Sequence, residues 1–200
     1  MRSVAQFALL MAAAFSARAE GFGPNLTVLL EFDNSPSASS LDEMKREVVH
    51  QMKPTGYRVD VKLKADIKPN EDFEDLVLVR LKGSCDIASM AKFLDERGPL
   101  AWTHTTEGEI LPFSEVACDH IRRAVTGALW GGQKAKQDQL FGRALGRVVA
   151  HELYHIVYKT NVHNKGGVFK ESLSGYQLIA DELESGRRDD ARKIVARWRR

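Results

Sequence analysis

The chain holds 200 residues, 44% of them apolar, with 29 Lys and Arg against 27 Asp and Glu and two cysteines. That length suits one domain with an adequate core, and so small a net charge argues against nucleic acid as the main partner. Beyond the amino terminus no stretch is long and uncharged enough to cross a bilayer as a helix, so no integral membrane segment is expected.

Met1-Arg2, the apolar run from Val4 to Phe15 and the triplet Ala17-Arg18-Ala19 have the layout of a secretory signal peptide cleaved after Ala19. The expected organisation is residues 1–19 as signal peptide and residues 20–200 as a single domain, secreted or periplasmic. Loss of Arg2 and Arg18 brings the basic count to 27, equal to the acids. The first strand follows so soon that no room is left for an inhibitory propeptide. In an oxidising location Cys85 and Cys118 are expected to pair, and without a CxxC pair they do not read as metal ligands.

Asn25 to Phe32 (NLTVLLEF) is rich in strand formers. Leu41, Met44, Val48, Val49 and Met52 then recur at helical spacing, and Pro54-Thr55-Gly56 stops the helix. Tyr57, Val59, Val61 and Leu63 alternate with polar residues, which predicts a strand buried on one face. Strand, helix, strand implies a right-handed parallel crossover. After an acidic loop, Glu71 to Asp75, the apolar run Leu76 to Leu81 predicts a central strand covered on both faces. Leu100 to Thr105 and Ile110 to Val116 flank a Glu107-Gly108 turn and predict a hairpin, with Pro112 at an edge or bulge.

Ile121 to Leu129 predicts a short helix ended by Trp130-Gly131-Gly132. From Asp138 to about Lys159 the pattern is helical and apolar nearly all round, as in a helix buried against a sheet. Gly142, Gly146 and Ala150 form a smooth strip on it that allows close backbone approach and needs no role beyond packing. A turn at Lys165-Gly166-Gly167 and a polar helical part from about Leu173 complete the domain. The fold class expected is α/β (α+β), a mixed twisted sheet with a buried helix and a small helical C-terminal part. Arg187 to Arg200 carries seven basic side chains against Asp189 and Asp190. This reads as a solvated helical tail or as a weak contact for an anionic surface.

The chemistry concentrates in His151-Glu152-Leu153-Tyr154-His155, at the end of the long apolar helix. Two imidazoles four residues apart share one helical face and can reach one small cation. A carboxylate beside the first can act on a metal-activated water. A further histidine, His163, follows after a turn and can complete the ligand set. Carboxylates offer an alternative third ligand: Glu171 first, then Glu182 and Glu184 on a plausible following helix. His104 and His120 are more remote candidates for steadying an oxyanion, and His50 more remote still. As isolated histidines they read first as hydrogen-bonded or part-exposed residues.

HELYH with a histidine downstream resembles the zincin metallopeptidases, and most closely a metzincin-like variant, whose motif is HExxHxxGxxH. LGRVVAHELYH and ILPFSEV are also similar to stretches of uncharacterised exported bacterial proteins with a metzincin-like signature, over roughly residues 100 to 172. The resemblance implies a zincin-like fold around an active-site helix. It implies Zn²⁺ held by His151, His155 and His163, Glu152 as general base, and a peptide or protein substrate. Tyr158 stands where the family has glycine, and His163 lies eight residues beyond His155 instead of six. The helix is then expected to run to Lys159 and the chain to turn at Asn161, a residue type tolerant of the left-handed conformation. Gly167-Val168-Phe169 takes the place of the family's methionine turn, with Phe169 as an apolar floor. Some metzincins place a tyrosine after that turn, where this chain has Lys170 and Glu171, so the helper implied by the resemblance is unassigned and Tyr176 is a further candidate.

The reading that follows is a secreted zinc-dependent peptidase. Its rivals are an exported zinc-containing binding protein with little or no hydrolysis, and a metal-free exported interaction domain.

Overall fold

The computed structural model describes residues 23–89 and 98–183. The signal-peptide reading of residues 1–19, Glu184 and the basic run Arg187 to Arg200 lie outside the described residues.

Five strands form one mixed sheet in the order β2-β1-β3-β5-β4. They are β1 (Asn25–Asn34), β2 (Arg58–Leu63), β3 (Asp75–Ser84), β4 (Ala101–Thr106) and β5 (Glu109–Ala117). β1, β2, β3 and β5 run parallel, and β4 pairs antiparallel with β5 at the edge. Among the described residues the α-helices are α1 (Ala38–Met52), α2 (Cys118–Ala128), α3 (Gln137–Tyr158) and α4 (Gly175–Ile179). The molecule is therefore α+β, as composition and patterning predict. Among the described residues no helix is long and apolar enough to cross a membrane.

The alternation of β2 places Val59, Val61 and Leu63 beside Leu26, Val28 and Leu30 of β1. Val77 and Val79 of β3 continue the same face through Val28 and Leu30. Met44, Val48 and Met52 of α1 and most of α3 join this face in one core. Val49 turns outward, 37% exposed. β3 is central, as expected, but its second face is open: Leu76 is 40% exposed, Leu78 half-buried and Arg80 exposed. The continuous apolar run comes from a strand with one helix-covered face and one sparsely apolar face, so the expectation of cover on both faces is corrected.

α3 earns its central place by burying residues all round, from Leu140 to Ile156. α1 lies against its glycine strip so closely that a Cβ on Gly142 would sit 2.2 Å from the Ser40 carbonyl oxygen. On Gly146 it would sit 2.7 Å from the Met44 carbonyl oxygen. The Ser40 hydroxyl donates across this contact to the Asp138 carbonyl at 2.7 Å. Arg147, fully buried, donates to Glu47 of α1 at 2.7 Å and to the Gln177 and Leu178 carbonyls of α4. Arg143 takes the Ile179 and Ala180 carbonyls. Two guanidinium groups on α3 thus satisfy carbonyls at the end of α4 that have no partner within so short a helix.

The hairpin turns at Glu107 and Gly108, both at positive φ (50° and 85°), the pairing expected of a tight two-residue loop. Its ladder slips between Thr103 and Thr105, where Leu111 to Phe113 stand opposite His104, so Pro112 lies in a bulge. α2 begins at Cys118, three residues before the predicted start, and Cys118 is bonded to Cys85 beyond the end of β3. The polar helix predicted from Leu173 is the single short α4, opened by a Ser174/Gln177 capping box.

Candidate metal centre

His151 and His155 lie on the last turns of α3, which ends at Tyr158. The next residue, Lys159, adopts the left-handed conformation (φ 47°, ψ 48°), and its N–H donates back toward Ile156 and His155. Thr160 N–H donates to the His155 carbonyl at 3.2 Å, which completes a Schellman-type stop. The turn residue is thus Lys159, and the expectation of a turn at Asn161 is corrected. Cap hydrogen bonding fixes where the left-handed residue must fall, and the Lys159 ammonium is held by the Ile110 carbonyl at 2.7 Å.

From this stop the chain folds back through His163. Asn164 N–H donates to the Phe169 carbonyl at 2.8 Å, closing residues 164–170 into a loop. One ligand atom from each of His151, His155 and His163 falls within 4.8 Å of the others. The His151 and His155 Nε2 atoms are 3.1 Å apart. Two nitrogens on a tetrahedral ion with bonds of 2.0–2.1 Å would be about 3.3 Å apart.

The hydrogen bonds of the two helix histidines decide what their inner nitrogens can do. His151 Nδ1 faces the Val168 carbonyl at 3.0 Å, and His155 Nδ1 faces the Thr160 carbonyl at 2.7 Å. A carbonyl oxygen only accepts, so each Nδ1 carries the proton and each Nε2 is left with a bare lone pair. These lone pairs point at each other across 3.1 Å, an arrangement that repels unless a cation or a proton lies between them. Burial pushes both imidazoles below their ordinary value of 6.5, so the proton is disfavoured. The donor set fits a cation that prefers imidazole nitrogen. The two carbonyls also supply the outer hydrogen bonds that orient metal-binding histidines.

No protein-family model matches the chain, and no curated protein and no solved structure matches it. What the site can do is read from its own geometry.

Glu152, next in sequence to His151, turns toward the sheet and is 6% exposed. Its Oε2 accepts a hydrogen bond from the Thr103 hydroxyl of β4 at 2.7 Å, and Thr103 Oγ1 is 3.1 Å from the Ser114 hydroxyl of β5. The other Glu152 oxygen, Oε1, accepts no hydrogen bond from another described residue. Burial pushes the carboxyl above the usual carboxylate range, while the Thr103 bond and the fields of His155 and His163 pull it down.

The structure brings together His151, His155 and His163, with Glu152 next in sequence to His151, and leaves the rivals Glu171 and Glu182 outside. Glu171 is exposed and not in the cluster, and Glu182 is exposed beyond the end of α4, not on a helix. His104 lies on the sheet face opposite Thr103, stacked on Phe113 and bonded to Trp102. His120 is held by the Pro99 carbonyl, and His50 is exposed on α1. Tyr176 is 64% exposed on α4 and has no contact with the histidines. Phe169 stacks on Tyr154 at 4.6 Å, so the 167–169 segment does underlie this end of α3, but it meets His151 through the Val168 carbonyl. Sequence reasoning missed Thr103 and Ser114. The signal was Ser114, a polar residue in β5 where the other buried residues, Ile110 and Val116, are apolar.

Proposed function

We propose that this chain is an exported zinc-dependent peptidase of zincin-like architecture, in which residues 20–200 form the catalytic domain. The observation that carries the reading is the convergence of two bare Nε2 lone pairs and a third imidazole, with a carboxylate next in sequence whose Oε1 accepts no hydrogen bond from another described residue. Three histidine ligands, with no fourth His, Cys, Asp or Glu in the group among the described residues, are the donor set of catalytic rather than structural zinc. The Cys85–Cys118 bond is in keeping with an oxidising compartment outside the cytosol.

A divalent zinc ion so held supplies the Lewis acidity that lets water act as a nucleophile near neutral pH. Burial keeps His151 and His155 neutral, and their Nδ1–H bonds to Val168 and Thr160 fix the tautomer that leaves each Nε2 free to bind the ion. Glu152 Oε1 accepts the proton of the attacking water and delivers it to the departing amide nitrogen. Among the described residues β4 is the edge strand beside β5, and it is the strand proposed to pair with an extended peptide. Backbone pairing of this kind is indifferent to most side chains, so a broad substrate class of unfolded or extended polypeptide is expected.

The test pairs metal analysis with hydrolysis of a mixed peptide library. The expected outcome is about one zinc per chain in wild type and Glu152→Gln, with cleavage by wild type alone. Equal cleavage by both proteins removes Glu152 from the reaction. In the same series His163→Ala is expected to lose zinc on dialysis while Glu171→Gln keeps it, and the reverse result reassigns the third ligand. Zinc bound without any turnover would favour an exported zinc-binding protein. That second reading draws on Tyr158 and Phe169 standing where the metallopeptidases have glycine and methionine.

A further inference from the structure

We infer that Thr103, braced by Ser114, is the positioning residue that aims the Glu152 carboxylate at the cation site. The inference rests on the peptidase reading for its chemistry but on separate contacts for its geometry.

Glu152 is carried by α3, whereas the hydroxyl that holds it comes from β4, 49 residues earlier in the chain. A glutamate side chain has three rotatable bonds, and a helix alone does not fix where its oxygens point. The Thr103 hydroxyl has a single proton, and at 2.7 Å it is given to Glu152 Oε2. Ser114 Oγ lies 3.1 Å from the same hydroxyl, and as Thr103 has spent its proton, Ser114 must donate to it. The result is a directed chain from Ser114 to Thr103 to Glu152 Oε2. One carboxylate oxygen is pinned toward the sheet, which leaves Oε1 as the proton acceptor.

β4 and β5 hold this chain rigidly, since Thr103 and Ser114 are direct partners in the antiparallel ladder. Ser114 is fully buried, and its neighbour Val79 on β3 is apolar, so its hydroxyl has a reason to be there only through Thr103. β4 is also the strand proposed to pair with a peptide. The element proposed to receive substrate and the element that aims the base are therefore one and the same.

Zinc-loaded wild type, Thr103→Val, Thr103→Ser, Ser114→Ala, Glu152→Gln and the Thr103→Val/Glu152→Gln double variant are compared by two readouts. One is peptide turnover split into kcat and KM, and the other is acetohydroxamate affinity by calorimetry. Acetohydroxamate chelates the ion and offers a proton to a carboxylate beside it. Thr103→Val is nearly isosteric and should lower kcat and acetohydroxamate affinity about 10- to 100-fold, the range supported by a hydrogen bond to a charged group. KM and zinc content should hold. Thr103→Ser should restore most of both, Ser114→Ala should show a smaller loss, and Thr103→Val should add nothing to Glu152→Gln.

Wild-type behaviour in Thr103→Val, no rescue by serine, or additive losses in the double variant overturns the inference while leaving the peptidase reading standing. A wild type that binds zinc and acetohydroxamate with this pattern but cleaves no peptide overturns the peptidase reading and keeps the role of Thr103. Failure of wild type to bind zinc overturns both.

Discussion

At the residue scale, the two helix histidines and Glu152 respond to burial in opposite senses, and this makes the metal-free protein testable by pH. Folding holds His151 and His155 below their ordinary 6.5, so the unfolded chain binds more protons and stability falls as pH drops below about that value. Folding holds Glu152 above its ordinary 4.5, so the folded chain keeps the proton longer and stability falls as pH rises past that value. Between the two values the contributions oppose each other. Thermal melts of zinc-stripped Glu152→Gln should lose stability more steeply on acidification than wild type across this window. Parallel profiles would mean that Glu152 is not held protonated by its surroundings.

At the scale of elements, the contact of α1 with α3 depends on having nothing on one side of α3. Alanine is the better helix former by about 1 kcal/mol. Gly142→Ala should nonetheless destabilise the protein by about 1–3 kcal/mol, because its methyl group would meet the Ser40 carbonyl, which is backbone and cannot swing aside. Urea unfolding measures this, and a stabilised variant would show that the two helices can part at no cost. The strip was legible as spacing in the sequence, but its partner was not. Nothing in Gly142, Gly146 and Ala150 names Ser40 and Met44, a hundred residues earlier.

At the scale of the whole molecule, the Cys85–Cys118 bond ties the end of β3 to the start of α2, across 33 residues that include the β4–β5 hairpin. Closing a loop of that length in the unfolded chain corresponds to about 3–4 kcal/mol on the loop-entropy scale. The double variant Cys85→Ala/Cys118→Ala should be less stable by an amount of that order in denaturant unfolding. The hairpin carries Thr103 and none of the three histidines proposed as ligands, which lie on α3 and the loop after it, so zinc-loaded protein lacking the bond should keep its metal. Loss of zinc on breaking this bond would tie the hairpin to the ligand cluster more closely than the contacts imply.

Periodicity and local chemistry were enough to read the strands, α1, the long buried α3 and the HELYH constellation from the sequence, because each depends on neighbours a few residues away. The hairpin turn was legible for the same reason. The position of the left-handed residue after α3 was not, since the stop is set by cap hydrogen bonds to His155 and Ile156, and these favoured Lys159 over the more tolerant Asn161. The open second face of β3 was also hidden, because an apolar run does not say which of its residues meets a helix. The sequence by itself determined that His151 and His155 share a helical face and can meet one cation. Only the tertiary structure decided that Val168 and Thr160 take their outer protons and that Thr103 takes hold of Glu152, since hydrogen bonds between distant segments exist only once the sheet, the helix and the returning loop are packed together.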